Sequence, residues 1–281
     1  MTYKTLLSTS DLAEHLTEAT WAVVDCRFDL TDTDTGERLY REAHVPGATY
    51  AHLDRDLSGP KTGKNGRHPL PDIEQFKMRL GAWGIGPGVQ VVAYDQSHGM
   101  WASRLWWMLR YLGHEAAAVL DGGMAKWVAE GRPTRSGEEP RTPAVFSGVP
   151  REAMRVRAEE VERLRADPAY RLIDARAPER YRGEAEPLDP VAGHIPGALN
   201  LYNLSNVNAD GTFLAPEILR VRFLALLGDV PSSNAITYCG SGVAAAHDIL
   251  AMEIAGLSGA KLYVGSWSEW CADPARPVAW E

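Results

Sequence analysis

The chain has 281 residues, of which 45% are apolar and 23% charged, a composition typical of a folded globular protein rather than a disordered or fibrous one. Its formal net charge of −8 argues against a nucleic-acid partner, because phosphate backbones attract basic surfaces. No apolar run approaches the roughly 18 residues of a membrane span, so we expect no membrane partner. No signal-peptide pattern opens the chain, and the three cysteines form neither an even disulfide framework nor a CxxC metal pair. We therefore expect a reducing, cytoplasmic location.

In the first half of the chain, short apolar runs alternate with helical patterns. The apolar runs predict buried strands at 22–24, 89–94 and 116–120. Apolar residues at three- and four-residue spacing predict helices at 11–19, 73–83 and 100–113.

The second half repeats this order. Its predicted strands are 171–175, 235–239 and 261–264, and its predicted helices are 158–167, 216–228 and 243–256. AHVPGA at 43–48 returns as GHIPGA at 193–198, and the alignment of QVVAYD with AITYC places Asp95 opposite Cys239. Collinear blocks at a domain-sized offset indicate a duplicated domain.

A stretch rich in proline and glycine separates the two halves. Residues 131–150 contain four prolines and three glycines, which favours a surface linker. We therefore predict a first domain at 1–132, a linker at 133–150 and a second domain at 151–281. The alternation of strands and helices predicts an α/β fold in which each domain is a parallel sheet flanked by helices on both faces.

The turn after the strand at 235–239 carries the strongest sign of chemistry. Active sites of parallel sheets lie beyond the strand ends, and here Cys239 is followed by a Gly-Ser-Gly loop and a helix. The free N–H groups of a helix N-terminus favour the thiolate, which is the nucleophilic form of cysteine. The alternative is a buried cysteine that only fills the core.

Two other motifs overlap this loop. GSGVAA at 240–245 fits a dinucleotide-binding fingerprint, but no acidic residue closes the next strand, and the first one after it is Glu269. A cysteine phosphatase needs an arginine where this chain has Ala245. Both motifs are therefore disfavoured.

Over nearly its full length the chain resembles the two-domain rhodanese-family sulfurtransferases. The resemblance is carried by HVPGA and HIPGA, the WWM helix before LDGG, the cysteine loop and the closing GSWSEW. It implies tandem rhodanese-like domains, an inactive first domain with Asp95 in place of the nucleophile, and a catalytic second domain with Cys239. It also implies that Cys239 takes up a sulfane sulfur as a persulfide and passes it to a thiol or cyanide acceptor, without a metal or organic cofactor. A thioredoxin-like protein is a further candidate acceptor.

The loop composition bears on the small-molecule sulfur donor. CGSGVA at 239–244 is similar to the C-G-[ST]-G-V-T loop of the mercaptopyruvate enzymes and departs from it at Ala244. The resemblance therefore favours 3-mercaptopyruvate as donor and assigns sulfur and substrate binding to the loop residues Gly240, Gly242, Val243 and Ala244. Thiosulfate remains the alternative donor, and a sulfur-carrier module for a protein partner is the alternative function.

The resemblance also implies roles for side chains outside the loop. Ser241, His68 and Asp54 match a serine, histidine and aspartate proposed to relay a proton, and Arg180 matches an arginine that binds the donor anion. A second arginine is expected in an E-P-R stretch, where this chain has Leu188. This departure weakens the assignment of 3-mercaptopyruvate.

Overall fold

The computed structural model describes residues 2–281, which form two compact units. The first unit comprises residues 2–59, 70–150 and 207–213, and the second comprises 60–69, 151–206 and 214–281. Two short segments, 60–69 and 207–213, thus belong to the unit that consists mainly of the other half of the chain. The domain limits 1–132 and 151–281 and the linker 133–150 stay a proposal.

The first unit is built on a five-stranded parallel sheet. Its strands are β1 (Leu6–Leu7), β2 (Trp21–Asp25), β3 (Ala48–Tyr50), β4 (Gln90–Tyr94) and β5 (Ala117–Leu120), in the spatial order β1-β5-β4-β2-β3. Its helices are α1 (Thr9–His15), α2 (Thr35–Glu42), α3 (Ile73–Ala82), α4 (Ala102–Tyr111) and α5 (Gly123–Ala129).

The second unit repeats this topology. Its strands are β6 (Arg155–Val156), β7 (Arg171–Asp174), β8 (Leu199–Asn200), β9 (Ala235–Tyr238) and β10 (Lys261–Tyr263), in the order β6-β10-β9-β7-β8. Its helices are α6 (Ala158–Leu164), α7 (Pro178–Tyr181), α8 (Pro216–Leu227), α9 (Ala244–Ile254) and α10 (Ser266–Trp270), with short 3₁₀ helices at Glu152–Met154, Asn203–Asn206 and Ser232–Asn234.

Burial along the central strands explains the layered architecture. Every residue of β2, β4 and β9 is buried, so both faces of each sheet are covered. The predicted α/β fold of two parallel sheets flanked by helices is confirmed, as are the six strands and six helices taken from periodicity, with shifts of up to four residues at their ends.

The elements that periodicity missed are short. The strands β1, β3, β6 and β8 have two or three residues, and the helices α2, α5, α7 and α10 have four to eight. Such segments are too short to show a clear repeat of apolar residues.

In each unit one strand, β2 or β7, ends in a buried ion pair. Nη2 of Arg27 lies 2.6 Å from Oδ2 of Asp25 and also donates to the carbonyl of Ala43. Arg176 makes the same contacts with Asp174, at 2.7 Å, and with the carbonyl of Gly193. The pairs fasten the end of β2 or β7 to the HxPGA turn of the same unit.

The histidines of the two HxPGA turns also have matching partners. Nδ1 of His44 lies 2.7 Å from the carbonyl of Tyr40, and Nδ1 of His194 lies 2.8 Å from that of Tyr181. Each imidazole stacks on the ring of the same tyrosine. The contact recurs in both units, although the second has Cys239 after β9 where the first has Asp95 after β4, so it serves the fold rather than the chemistry.

Among residues 2–281, none of the helices has the length and apolar character that crossing a membrane would require.

The buried ion pair of the first unit should contribute strongly to stability. Asp25→Ala leaves the guanidinium of Arg27, only 5% exposed, without its carboxylate, and we expect a loss of about 3–5 kcal/mol in the free energy of unfolding. Denaturant unfolding followed by tryptophan fluorescence measures this loss.

Asp32→Ala is the matched control, because it removes an aspartate from an exposed pair with Arg38 and should leave the unfolding midpoint unchanged. Equal midpoints for the two variants would contradict the role given to the buried pair.

Candidate functional site

Cys239 lies at the point where β9 gives way to α9. It is 3% exposed and follows the buried Tyr238 directly. The chain turns back through Gly242, whose φ of +75° favours glycine and where a side chain would also collide with the carbonyl of Val264. The Gly-Ser-Gly sequence therefore permits a tight loop around the sulfur.

The sulfur of Cys239 accepts hydrogen bonds from the backbone of its own loop. The N–H groups of Ser241 and Gly242 lie 3.4 and 3.2 Å from Sγ. Val243 precedes the first residue of α9, Ala244, and supplies no side-chain cap, so the first N–H groups of the helix add to the positive potential at this end. The arrangement stabilises a negative charge on the sulfur.

The start of α10 forms hydrogen bonds with the backbone of the cysteine loop. Oγ of Ser266 accepts from the N–H of Cys239 at 3.1 Å, while the N–H groups of Trp267 and Ser268 donate to the carbonyls of Cys239 and Gly240 at 2.9 and 3.0 Å. These bonds set the direction of the cysteine backbone.

Ser266 has a left-handed backbone, with φ of +55°, which is unfavourable for a residue with a side chain. The matching position of the first unit is Gly123, with φ of +56°. Ser266 tolerates this conformation because its hydroxyl bridges the N–H of Cys239 and the carbonyl of Tyr263. Sequence reasoning missed this residue. The available signal was that LDGG at 120–123 aligns with YVGS at 263–266, which places Ser266 opposite Gly123.

His68 and Ser241 meet beside the sulfur. Nδ1 of His68 lies 2.7 Å from Oγ of Ser241, and both side chains are buried. Residues 60–69 belong to the second unit, so the structure brings together these two residues, which are far apart in the sequence. An imidazole nitrogen and a hydroxyl at this distance can exchange a proton in either direction.

Arg180, at the end of α7, already contacts two carboxylates. Its Nη2 lies 2.6 Å from Oε1 of Glu186 and 3.4 Å from Oδ2 of Asp189. Leu188, where a second arginine was expected, is exposed. Arg180 therefore lies at the site, but its charge is balanced before any ligand binds.

Arg67 is a second cation at the loop that sequence reasoning missed. A methyl group added at Gly240 would lie 2.6 Å from its Nη2, and 3.5 Å from both Nη atoms of Arg180. Arg67 forms an ion pair with Asp189 and its N–H donates to Oγ of Ser268 at 3.0 Å. Its position directly before the proposed His68 was the available signal.

Asp54 lies in the first unit, after β3. Its backbone N–H donates to Nδ1 of His52 at 3.1 Å. The role of Asp54 in a proton relay stays a prediction.

The loop of the first unit that aligns with the cysteine loop holds a carboxylate. Asp95 is fully buried, and its two oxygens accept four backbone N–H groups at 2.6 to 2.9 Å, from Ser97, Gly99, Trp101 and Ala102. Burial raises the pKa of Asp95, while these four hydrogen bonds oppose the rise. The fold thus surrounds an acidic group with main-chain donors at this strand end.

The other two cysteines have surroundings that favour the thiol. Burial raises the pKa of Cys26 well above its ordinary value, and burial together with nearby carboxylates raises that of Cys271 to about 11. Within residues 2–281, no group of three or more histidine, cysteine, aspartate or glutamate side chains is arranged to hold a metal ion.

Comparison with known proteins agrees with this duplicated architecture. Residues 8–130 and 157–273 each match the family described as the rhodanese-like domain. A Pseudomonas aeruginosa protein named "Probable 3-mercaptopyruvate sulfurtransferase" is 47% identical over 276 residues, which cover 98% of this chain and 97% of that protein. The thiosulfate sulfurtransferase of Cricetulus griseus is 34% identical, covering 95% and 92%. The solved structure of a 3-mercaptopyruvate sulfurtransferase from Leishmania major superposes with a TM-score of 0.83 at 32% identity, covering 95% of this chain and 74% of that one.

The tight turn at Gly242 should be necessary for the reactivity of the sulfur. Gly242→Ala combines a positive φ with a collision against Val264, so the loop N–H groups should move away from Sγ. We expect alkylation of Cys239 by iodoacetamide to slow roughly tenfold or more, as measured by mass spectrometry of the cysteine peptide.

Gly88→Ala is the matched control, since Gly88 has a φ of +79° with nothing within 4 Å of an added methyl group. If both variants alkylate at the rate of the parent protein, the loop contacts do not control the sulfur.

Proposed function

Because the chain belongs to the rhodanese family, we propose that it is a sulfurtransferase that moves a sulfane sulfur from 3-mercaptopyruvate to a thiol or cyanide acceptor through a persulfide on Cys239. The observation that carries this proposal is the sulfur of Cys239, held by two backbone N–H groups next to the contact between His68 and Ser241. The named relatives support the activity class.

In the first half-reaction the thiolate of Cys239 attacks the sulfur of the donor. A sulfur–sulfur bond forms, the carbon–sulfur bond of 3-mercaptopyruvate breaks, and its electron pair remains on carbon as the enolate of pyruvate. The terminal sulfur of the persulfide then carries the negative charge, for which the N–H groups of Ser241 and Gly242 are the nearest donors.

The donor thiol proton must move to the enolate carbon to complete this half-reaction. The contact between Ser241 and His68 supports a role for both residues in that transfer, because their polar atoms are 2.7 Å apart and shielded from solvent. In the proposed relay, Ser241 exchanges the proton with the donor and His68 holds it until pyruvate forms, with Asp54 as the third member inferred from the resemblance.

In the second half-reaction an acceptor thiolate or cyanide attacks the terminal sulfur of the persulfide. The sulfur–sulfur bond to Cys239 breaks and the thiolate of Cys239 is restored, while the product is a persulfide or thiocyanate. Neither half-reaction requires a change in oxidation state by an external reagent. A thioredoxin-like acceptor and a cytoplasmic location remain predictions.

The experiment that tests the proposal measures thiocyanate formation from cyanide with 3-mercaptopyruvate or thiosulfate as donor. We expect a higher kcat/KM for 3-mercaptopyruvate, and no transfer above background with Cys239→Ser, because a hydroxyl does not form a persulfide. Cys271→Ser is the control and should retain activity within about threefold, since its thiol is mostly protonated near neutral pH.

Three other outcomes would change the proposal. A clear preference for thiosulfate would replace the donor but leave the nucleophile. No turnover with either donor, together with a readily persulfidated Cys239, would favour a sulfur carrier. Full activity of Cys239→Ser would overturn the mechanism.

The contact between Ser241 and His68 predicts coupled effects on turnover. Ser241→Ala and His68→Gln should each lower kcat with 3-mercaptopyruvate by about a hundredfold, and the double variant should be no worse than the more affected single variant, because the two groups act as one relay.

The control is Ser258→Ala, an exposed serine bonded to Glu253, which should leave kcat unchanged. Effects of the two single variants that multiply in the double variant would show that the residues act separately.

A further inference from the structure

Two arginines converge on the first residue after Cys239. A methyl group placed on Gly240 would collide with Nη2 of Arg67 at 2.6 Å and would lie 3.5 Å from both Nη atoms of Arg180, so both guanidinium groups lie against the loop. The neighbouring loop N–H groups are those that bond to the sulfur of Cys239. An anionic group bound by these guanidinium groups would lie next to the residue that follows the nucleophile.

Arg67 keeps an unused hydrogen-bond donor. Its Nε is buried and has no hydrogen-bond partner among residues 2–281. The other bonds of the two side chains go to Asp189 through Nη1 of Arg67, and to Glu186 and Asp189 through Nε and Nη2 of Arg180. A buried guanidinium N–H without an acceptor is costly, so Nε of Arg67 favours a ligand that supplies an oxygen atom.

Two buried carboxylates balance the two arginines. Asp189 bridges them, with one oxygen on Nη1 of Arg67 and the other 3.4 Å from Nη2 of Arg180. The side chains of Asp189 and Glu186 are each only 3% exposed. The nearby guanidinium of Arg176 is paired with Asp174 and also contacts Glu186. Three arginines therefore face three carboxylates, and the formal charge of the cluster is zero.

We propose that Arg67 and Arg180 jointly bind the carboxylate of a monoanionic α-keto acid donor, and that Asp189 sets the preference for such a donor over a dianion. This inference rests on the proposed function and deepens it by assigning the second donor-binding cation and a specificity-determining acid. Arg67 takes the role for which the chain has no arginine at Leu188.

The charge balance explains the direction of the preference. A guanidinium carries five N–H donors, so it can bind the carboxylate of a ligand while it keeps its own protein partner. A dianion such as thiosulfate brings a second negative charge next to the buried Asp189, and like charges at close range repel strongly where water is scarce. The repulsion from Asp189 therefore weakens the binding of a dianion more than it weakens the binding of a monoanion.

The experiment compares the alkylation of Cys239 by iodoacetate, a monoanion, with that by iodoacetamide, its neutral analogue. The rate ratio reports the attraction of an anion and does not require sulfur transfer. Arg67→Gln should lower the ratio of iodoacetate to iodoacetamide rates by about tenfold or more, and Asp189→Asn should raise it by a similar factor. The site of modification is verified by mass spectrometry of the Cys239 peptide.

Donor kinetics provide the second readout. Arg67→Gln should raise KM for 3-mercaptopyruvate more than it lowers kcat, and Asp189→Asn should shift the kcat/KM ratio of the two donors towards thiosulfate by about tenfold. Arg182→Gln is the matched control, because Arg182 is exposed and pairs with Glu184; it should change neither ratio.

Arg67→Gln and Asp189→Asn are expected to change the ratio of alkylation rates in opposite directions. This distinguishes a change in electrostatic attraction from damage to the fold. A loop disturbed by either substitution would slow both alkylating reagents together. An unchanged alkylation ratio in Arg67→Gln, or a ratio that falls in Asp189→Asn, would overturn the inference even if sulfur transfer proceeds. A ratio that responds as expected in a protein that turns over neither donor would retain the anion site and reject the proposed function.

Discussion

The hydrogen bonds from the backbone of Ser241 and Gly242 to the sulfur of Cys239 are the interaction on which the site depends. They require a loop without a side chain at residue 242, a helix that begins directly afterwards, and a strand that delivers the thiol to the sheet edge. Main-chain N–H groups have no protonation equilibrium of their own in the working pH range, so their own contribution at the sulfur does not change with pH. Under the proposed function, the surrounding side chains would bind the donor and transfer its proton.

The sequence contained the architecture and the nucleophile in a readable form because both are local. The apolar run of β4 and the three- and four-residue spacing of apolar residues in α4 are each contained in ten residues or fewer, and the Cys239 loop is a contiguous strand, turn and helix. The contact between His68 and Ser241 was reached only through family resemblance, since its two residues are 173 positions apart.

Arg67 could not be predicted in the same way. Its position over Gly240 depends on how residues 60–69 pack within the second unit, where its N–H bonds to Ser268 and a side chain at Gly66 would collide with the carbonyl of Gly265. Apart from its position directly before His68, nothing in a loop rich in Gly, Lys and Arg indicates such a contact. The expectation of a lone Arg180 came from comparing motifs position by position, and that method does not detect a cation supplied by another segment.

In the first unit, the carboxylate of Asp95 occupies the main-chain donors of the loop that aligns with the cysteine loop. Four main-chain donors are already engaged there by a group that is part of the polypeptide. Under the proposed chemistry each polypeptide therefore carries a single transferable sulfur atom, although the fold is duplicated. The amplitude of a pre-steady-state burst then equals the molar concentration of chains, not of domains.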